Sequence, residues 1–303
     1  MNRNLILAVL LSSAVYIFWY SYVAKPPMPQ PNAAAQTDPQ PAAPAPSASV
    51  KGPAAEPSAP AAPAAASDWP RNGVTLDMPK ASYSFHPAGA SIKSIVYQGP
   101  VSPVELIPAA DPGFLSSFEG LRFALKSRTG DSVTFAARAA NGVNITKKYT
   151  LSADDTIHLL EVTAANPETA PAVLGPWTLT IGPGIGTVKT EQKENPSVWK
   201  AKYTFQEPGK KHPTVVEMDE NAKAGDWIWA GVDNRYFLTA VLGGGLQRDQ
   251  LIFSHRELEG NKAPLLTLPF DTVVLAPRES RTWKVSFYAG PKDYRLLQAL
   301  GSG

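Results

Sequence analysis

Cysteine is absent from the sequence, which excludes disulfide bridges, thiolate metal ligands and a lipoprotein anchor. An excess of either charge is missing too. Three residues of each sign fall in the first 68 positions, and beyond Asp68 25 Lys and Arg stand interspersed with 23 Asp and Glu. That balance leaves no basic footprint for nucleic acid. The adjacent pairs Lys147 and Lys148, and Lys210 and Lys211, read as solvated loop or strand-edge residues. No glycine-rich phosphate loop occurs. Gly243, Gly244 and Gly245 follow a strand-like run without opening a helix that carries Lys and Ser or Thr, so they read as a turn. Gly182, Pro183, Gly184 and Gly186 read as a bend after a strand.

Signals for chemistry are equally sparse. The four histidines, at positions 86, 158, 212 and 255, are too far apart in sequence to form a ligand pair on one helix or hairpin. His158 sits in an apolar run, where an imidazole that packs in the core or faces the surface is expected rather than a ligand. Asp154 with Asp155, and Glu191 with Glu194, are carboxylate pairs. They read as hydrated loop residues, because catalytic carboxylates need the shifted pKa values that come from burial. No Ser or Cys nucleophile signature is present. No residue is therefore assigned a catalytic, cofactor-binding or metal-binding role.

What the sequence does contain begins with a run of 19 uncharged residues from Leu5 to Val23, rich in Leu, Ile and Val and closed by Tyr16, Phe18, Trp19, Tyr20 and Tyr22. At about 1.5 Å per residue it reaches about 28 Å, close to the hydrocarbon thickness of a bilayer. Aromatic side chains suit the headgroup boundary. Leu5, Leu10, Val15, Phe18, Trp19, Tyr20 and Val23 are thus expected in a transmembrane anchor. An uncleaved anchor is expected rather than a cleaved leader, because Ala24 suits one of the two small-residue positions before a cut but the bulky Tyr22 occupies the other. Arg3 and Lys25 balance the two flanks, so orientation rests on bulk: a cytoplasmic N-terminus, with everything after Val23 outside.

From Lys25 to Asp68 the chain holds 12 Pro and 15 Ala, and Val50 is its one branched aliphatic residue. Such a segment buries too little apolar surface to offset its ordering entropy and is expected to act as a disordered or polyproline-like spacer. About 235 residues remain, enough for a core without covalent staples.

After Trp69 the pattern turns to short runs rich in Val, Ile, Thr, Tyr and Phe, broken about every eight to twelve residues by Gly, Pro, Asn or Asp. Strands are expected at Ser91–Gln98, Leu121–Ser127, Ser132–Ala137, Val143–Leu151, Thr156–Ala164, Val173–Ile181, Tyr236–Leu242, Gln250–His255 and Arg281–Ala289. In Thr156–Ala164 neither parity is wholly polar, which predicts cover on both faces. The fold class is mainly β, one large antiparallel double-sheet domain. Helical periodicity is scarce until Lys292–Leu300, where Tyr294, Leu297 and Leu300 share a face with Leu296 beside it. Trp177, Trp199, Trp227, Trp229 and Trp283 read as core aromatics, with Trp199 the exception, because Asn195, Pro196, Ser197 and Lys200 around it are loop-like.

The order of these features resembles the first third to half of YidC-type membrane protein insertases of the YidC/Oxa/Alb family. The resemblance is carried by the opening Asn2-Arg3-Asn4-Leu5, the anchor and the spacer, then by three stretches. These are Gly89 to Tyr97 with Ile92, Gly225 to Leu238 with Trp227, Gly231, Asn234, Arg235, Tyr236 and Phe237, and Phe287 to Leu297 with Tyr288, Gly290, Pro291, Lys292 and Tyr294. The resemblance implies a tail and anchor at 1–24, a linker at 25–68, and a periplasmic β-supersandwich related to galactose mutarotases at 69–291. At 292–303 it implies the start of an amphipathic helix on the membrane surface, ahead of an insertase bundle not present in this chain. It further implies a non-enzymatic role at the bacterial inner membrane, with nascent membrane proteins, lipid and the Sec translocon with SecD and SecF as partners, and no cofactor. A carbohydrate-active enzyme of supersandwich fold and a signal-anchored envelope scaffold are the competing readings.

Overall fold

In the computed structural model the described residues are 73–109, 111–154, 157–207, 209–211, 213–219, 227–243 and 251–293. The chain divides into two units, Met1–Ala61 and Ala62–Gly303, and every described residue belongs to the second. The expected anchor with Leu5, Leu10, Val15, Phe18, Trp19, Tyr20 and Val23, the spacer, and Tyr294, Leu296, Leu297 and Leu300 of the expected helix lie outside the described residues. Among the described residues no helix is long and apolar enough to cross a membrane.

A meander opens the domain: β1 (Val74–Asp77), β2 (Ala81–His86), β3 (Ser91–Gln98) and β4 (Pro103–Glu105), paired in that order. There follow β5 (Ala124–Arg128), β6 (Ser132–Arg138), β7 (Asn144–Thr150), β8 (His158–Ala165), β9 (Ala172–Leu174) and β10 (Trp177–Ile181). Two short 3-10 turns, Lys189–Glu191 and Asn195–Val198, precede β11 (Lys200–Phe205), β12 (Thr214–Glu217), β13 (Trp227–Asp233) and β14 (Phe237–Leu242). The last strands are β15 (Ile252–Leu258), β16 (Asn261–Phe270), β17 (Val273–Leu275) and β18 (Ser280–Pro291). A nine-stranded sheet runs β12-β11-β13-β14-β18-β8-β7-β6-β5, beside a three-stranded sheet β10-β16-β15 and a ribbon β17-β9. Every pairing between these strands is antiparallel.

Alternation builds the core. In β2, Ala81, Tyr83 and Phe85 point inward, and in β8 His158, Leu160, Val162 and Ala164 do the same. Phe85 meets Phe135 and Tyr149 at ring-centre distances of 5.3 and 5.0 Å, and Phe287 meets Phe114 at 5.8 Å, so aromatic contacts seat the meander on the large sheet. A second stack, Trp177 on Phe270 at 3.8 Å with Trp283 edge-on at 5.4 Å, closes the β10–β16 side.

Several expectations are corrected. The single strand expected at Val173–Ile181 is two strands in different sheets, split at Gly175–Pro176, where proline supplies no N–H to a ladder. The strand expected at Leu121–Ser127 starts at Ala124, because Leu121 and Phe123 bond instead to Gly89 and Pro87. The outer row of β8 is only half buried, and Glu161 there meets Lys148 at 3.8 Å and Lys284 at 3.4 Å, so that strand is not covered on both faces.

Lys147, expected at the surface, is wholly enclosed on the inner face of β7. Its Nζ donates to the carbonyls of Gly89 (2.7 Å) and Leu115 (2.8 Å), and the Tyr149 hydroxyl donates to Ala90 O at 2.7 Å. Gly89, Ala90 and Leu115 all have left-handed backbones, with φ of 64°, 43° and 58°. Their carbonyls point into the core, where only a buried side chain can reach them. Gly89 also has no room for a Cβ, which would lie 2.8 Å from both Ser116 Oγ and Ser117 O. Burial drives the Lys147 ammonium well below its ordinary pKa, and a neutral amine has two N–H bonds for the two carbonyls.

The unfolded chain therefore holds a proton that the folded chain releases, so stability rises with pH above the depressed value and up to the ordinary lysine pKa. Urea unfolding across pH 7 to 10 checks this. Lys147→Met removes that slope and, by orphaning two carbonyls, costs about 2–4 kcal/mol.

Candidate functional site

Two of the three stretches that carry the family resemblance, those around Asn234 and Tyr288, meet at the end of β18. Antiparallel register sets Phe237 opposite Pro291, Leu238 opposite Gly290 and Ala240 opposite Tyr288. Asn234, Arg235 and Tyr236 form the β13–β14 turn. Asn234 Oδ1 accepts the N–H groups of Tyr236 (2.9 Å) and Phe237 (2.8 Å), an Asx turn that closes the hairpin. Its Nδ2 donates to Gly186 O and to Asn195 Oδ1, both at 2.8 Å. Asn195 Nδ2 and Trp199 Nε1 in turn each donate to Ile185 O at 2.7 Å. One buried amide thus ties the hairpin to the loop between β10 and β11.

Charged groups surround this knot. Arg235 pairs with Glu191 at 2.5 Å, and the Tyr236 hydroxyl donates to the other Glu191 oxygen at 3.4 Å. Asp233 is 4% exposed, and its Oδ2 takes Lys202 Nζ at 2.9 Å and Lys292 Nζ at 3.1 Å. The Lys292 N–H donates to Tyr236 O at 2.8 Å, and the Tyr288 hydroxyl donates to Pro291 O at 2.5 Å. Burial pushes the Tyr288 phenol well above its ordinary pKa, so it stays a donor. Tyr97 lies edge-on to Phe237 at 6.0 Å. Gly89 and Ile92 lie elsewhere, near the opposite end of β3, where Ile92 bridges Phe114. Trp227 is buried at the start of β13.

Beside the knot is a cavity of about 280 Å³, lined among others by Pro108, Thr187, Gln192, Trp199, Leu258 and Asn261. Trp199 is the loop aromatic expected, half buried and facing this space. Glu105 also borders it, but its carboxylate accepts Ser94 Oγ and the N–H groups of Ile95 (3.0 Å) and Ile107 (2.9 Å). Asp233 and Lys202 escaped sequence reasoning, which presents Glu191 only as a hydrated loop carboxylate and Gly186 only as part of a bend. Lys202, Glu191 and Gly186 lie 31, 44 and 48 positions from Asp233, Arg235 and Asn234, and Lys292 lies 59 from Asp233, so no spacing rule links them.

Each described histidine has a local partner. His158 Nδ1 accepts the Ser152 N–H at 3.0 Å, which leaves Nε2–H for Tyr83 Oη at 2.8 Å, and burial pushes the imidazole down to about 4. His86 Nδ1 accepts the Ala88 N–H at 3.2 Å, and His255 lies on β15 against Phe253. His212 lies outside the described residues. Among the described residues no cluster of three His, Cys, Asp or Glu side chains is placed to hold a metal.

A family model described as the YidC periplasmic domain matches residues 109–303. The chain belongs to that family. Membrane protein insertase YidC of Endomicrobium trichonymphae is 29% identical over 203 residues, which covers 66% of this chain and 37% of that protein. Its counterpart in Geobacter metallireducens is 26% identical over 333 residues, which covers 100% of this chain and 59% of that protein. The chain thus spans about a third to three-fifths of the length of these curated relatives. Among solved structures it is similar to a galactose mutarotase related enzyme from Lactobacillus acidophilus, at a TM-score of 0.49 and 10% identity, covering 72% of this chain and 97% of that one. The Slr1438 protein of Synechocystis sp. PCC 6803 gives a TM-score of 0.48 and 12% identity, covering 73% and 96%.

Within the family domain, Asn234→Ala removes four hydrogen bonds and orphans buried groups. Its unfolding free energy falls by about 3–5 kcal/mol, measured by urea titration, whereas Arg235→Ala, at a solvent-exposed ion pair, leaves the midpoint almost unchanged. His158 gives a second signature. Its folded pKa lies below its unfolded value of about 6.5, so its contribution is complete above that pH and about 3 kcal/mol is lost as pH falls toward 4. The His158→Gln variant shows a flatter acid limb in the same titration.

Proposed function

We propose that this chain is the anchor and periplasmic part of a YidC-type insertase, a protein that assists insertion, folding and assembly of inner-membrane proteins, alone or with the Sec translocon. The observation that carries this reading is the match of residues 109–303 to the YidC periplasmic domain, joined to relatives named membrane protein insertase YidC. Residues 1–24 are its tail and transmembrane helix, 25–68 a spacer, 69–291 a galactose-mutarotase-like supersandwich and 292–303 the start of an amphipathic helix. The N-terminus is cytoplasmic and the large domain periplasmic.

The part played by this domain is docking, not turnover. Several carboxylates and an imidazole of the domain are engaged in holding backbone and loops: Glu105 on two N–H groups, Asp233 on two lysines, Glu191 on Arg235 and His158 on Ser152 and Tyr83. The bilayer, nascent membrane proteins and the Sec translocon with SecD and SecF are the proposed partners. A tether to the membrane raises the domain's effective concentration near them without a strong binding site.

The absence of native cysteine makes topology measurable with one substitution. Val101 is 96% exposed, so Val101→Cys is accessible wherever the domain resides. A membrane-impermeant maleimide labels it in intact spheroplasts if the reading holds. Labelling only after lysis places the domain in the cytoplasm and ends the proposal.

A further inference from the structure

Between the loop that follows β10 and the β15–β16 turn lies the cavity of about 280 Å³, and the charge of its lining has one sign. Glu105 and Glu259 border it, and no lysine, arginine or histidine does. A phosphate or a carboxylate would meet like charge there and no counter-charge. The aromatic wall is fixed from two directions. Trp199 Nε1 donates to Ile185 O at 2.7 Å, and Gly184 lies so near the ring that an added Cβ would come within 3.1 Å of Cε2 and 3.2 Å of Cζ2. Thr187 lines the cavity at 6% exposure, and its hydroxyl has no hydrogen-bond partner among the described residues. Buried hydroxyls normally have one, and the cavity is the open side from which it would come. At the exposed mouth stand the Gln192 amide, which makes no side-chain hydrogen bond among the described residues, and Asn261, whose Nδ2 is spent on Glu259 O and whose Oδ1 is free. Backbone groups of the lining are engaged elsewhere: the Gly186 N–H donates to Leu106 O, Gly186 O accepts from Asn234, and Pro108 and Pro196 have no N–H to give. An extended peptide that binds as an added strand therefore finds no open edge here.

We propose that this cavity binds an uncharged sugar ring. Each sugar hydroxyl both donates and accepts, so it answers the carboxylate of Glu259 and the Asn261 carbonyl, which only accept, and the Gln192 N–H groups, which only donate, while the Thr187 hydroxyl takes either role. The C–H face of the ring packs on Trp199, and Pro108, Pro196 and Leu258 supply the rest of the apolar contact. Size agrees: about 280 Å³ stands at the lower edge of the range of about 300–1,000 Å³ for small-molecule sites, room for a ring and not for a chain. The site recognises and does not turn over its ligand, since the Glu105 carboxylate is already spent on Ser94 and the N–H groups of Ile95 and Ile107. Occupancy also has a structural effect. Asn195 belongs to the lining and its Oδ1 accepts Asn234 Nδ2, so a ligand packed on it rests on the knot that closes the β13–β14 hairpin and stabilises the fold by mass action. Neither the family match nor the insertase role is needed for this site, so its failure leaves both intact.

Titration of the full chain, held in a detergent without a sugar headgroup, tests this. Glucose, galactose and N-acetylglucosamine are the probes, inorganic phosphate and a blocked alanine tripeptide are the controls, and binding is read by saturation-transfer NMR. At least one sugar is expected to bind with a dissociation constant of about 1–10 mM, and neither control binds in that range. Thr187→Val keeps the shape and removes the hydroxyl, and Gln192→Ala removes the amide at the mouth. Each is expected to weaken that sugar at least about tenfold while the urea midpoint holds. No sugar binding below about 100 mM, sugar binding that neither substitution weakens, or tripeptide binding that both weaken overturns the proposal. If Thr187→Val does not fold, Gln192→Ala, at an exposed position, decides by the same criterion. Labelling of Val101→Cys in spheroplasts is independent of each of these results, so the two readings fail separately.

Discussion

Carbonyl groups that no strand can reach must still find a donor, and much of this domain is arranged around that requirement. Sheet ladders satisfy the strands, but the connections between sheets turn backbone oxygens into a dry interior. Lys147 and Tyr149 answer for the left-handed turn at Gly89 and Ala90 and for Leu115. Asn166 Nδ2 reaches Ala170, Leu275 and Ala276 at 2.8, 3.2 and 3.0 Å, which ties β8 to the end of β17. Asn195 and Asn234 do the same for the loop after β10. Each polar side chain is costly to bury alone, and each leaves a larger deficit if removed, because the orphaned backbone group cannot be rehydrated.

The Asn234 knot has a further consequence because of where it lies. β18, with 12 residues, is the longest strand among the described residues, and it pairs with β14 on one side and β8 on the other. Its last residues meet the Asn234–Tyr236 turn, the Asp233 carboxylate and the loop carrying Trp199 within one small region. Force applied to the chain after Lys292 therefore reaches the centre of the largest sheet directly, through ladder bonds and two lysine contacts to one buried oxygen.

The two faces of the large sheet are packed separately. One face makes the core and determines whether the domain folds. The other, with Trp229, Leu238, Ala240 and Tyr288, forms a distinct buried cluster around the same strands that carry the family motif. Burial of a leucine and two large aromatics contributes several kcal/mol at about 25 cal/mol per Å².

The sequence by itself determined the strand-rich class, the meeting points of strands at Gly, Pro and Asn, the buried tryptophans and the family, because period, turn chemistry and local motif are properties of neighbouring residues. It also marked Asn234 to Phe237 and Tyr288 to Lys292 as noteworthy, without a reason to join them. Only the tertiary structure decided that these stretches are cross-strand partners and that Asn234 answers to Gly186 and Asn195, 48 and 39 positions away. It alone turned Lys147 inward, against the reading of a charged pair as solvated, and parted Val173 from Ile181 into separate sheets. In each case the deciding partner is a backbone carbonyl or a strand edge distant in sequence, and periodicity carries no information about which distant group a side chain must satisfy.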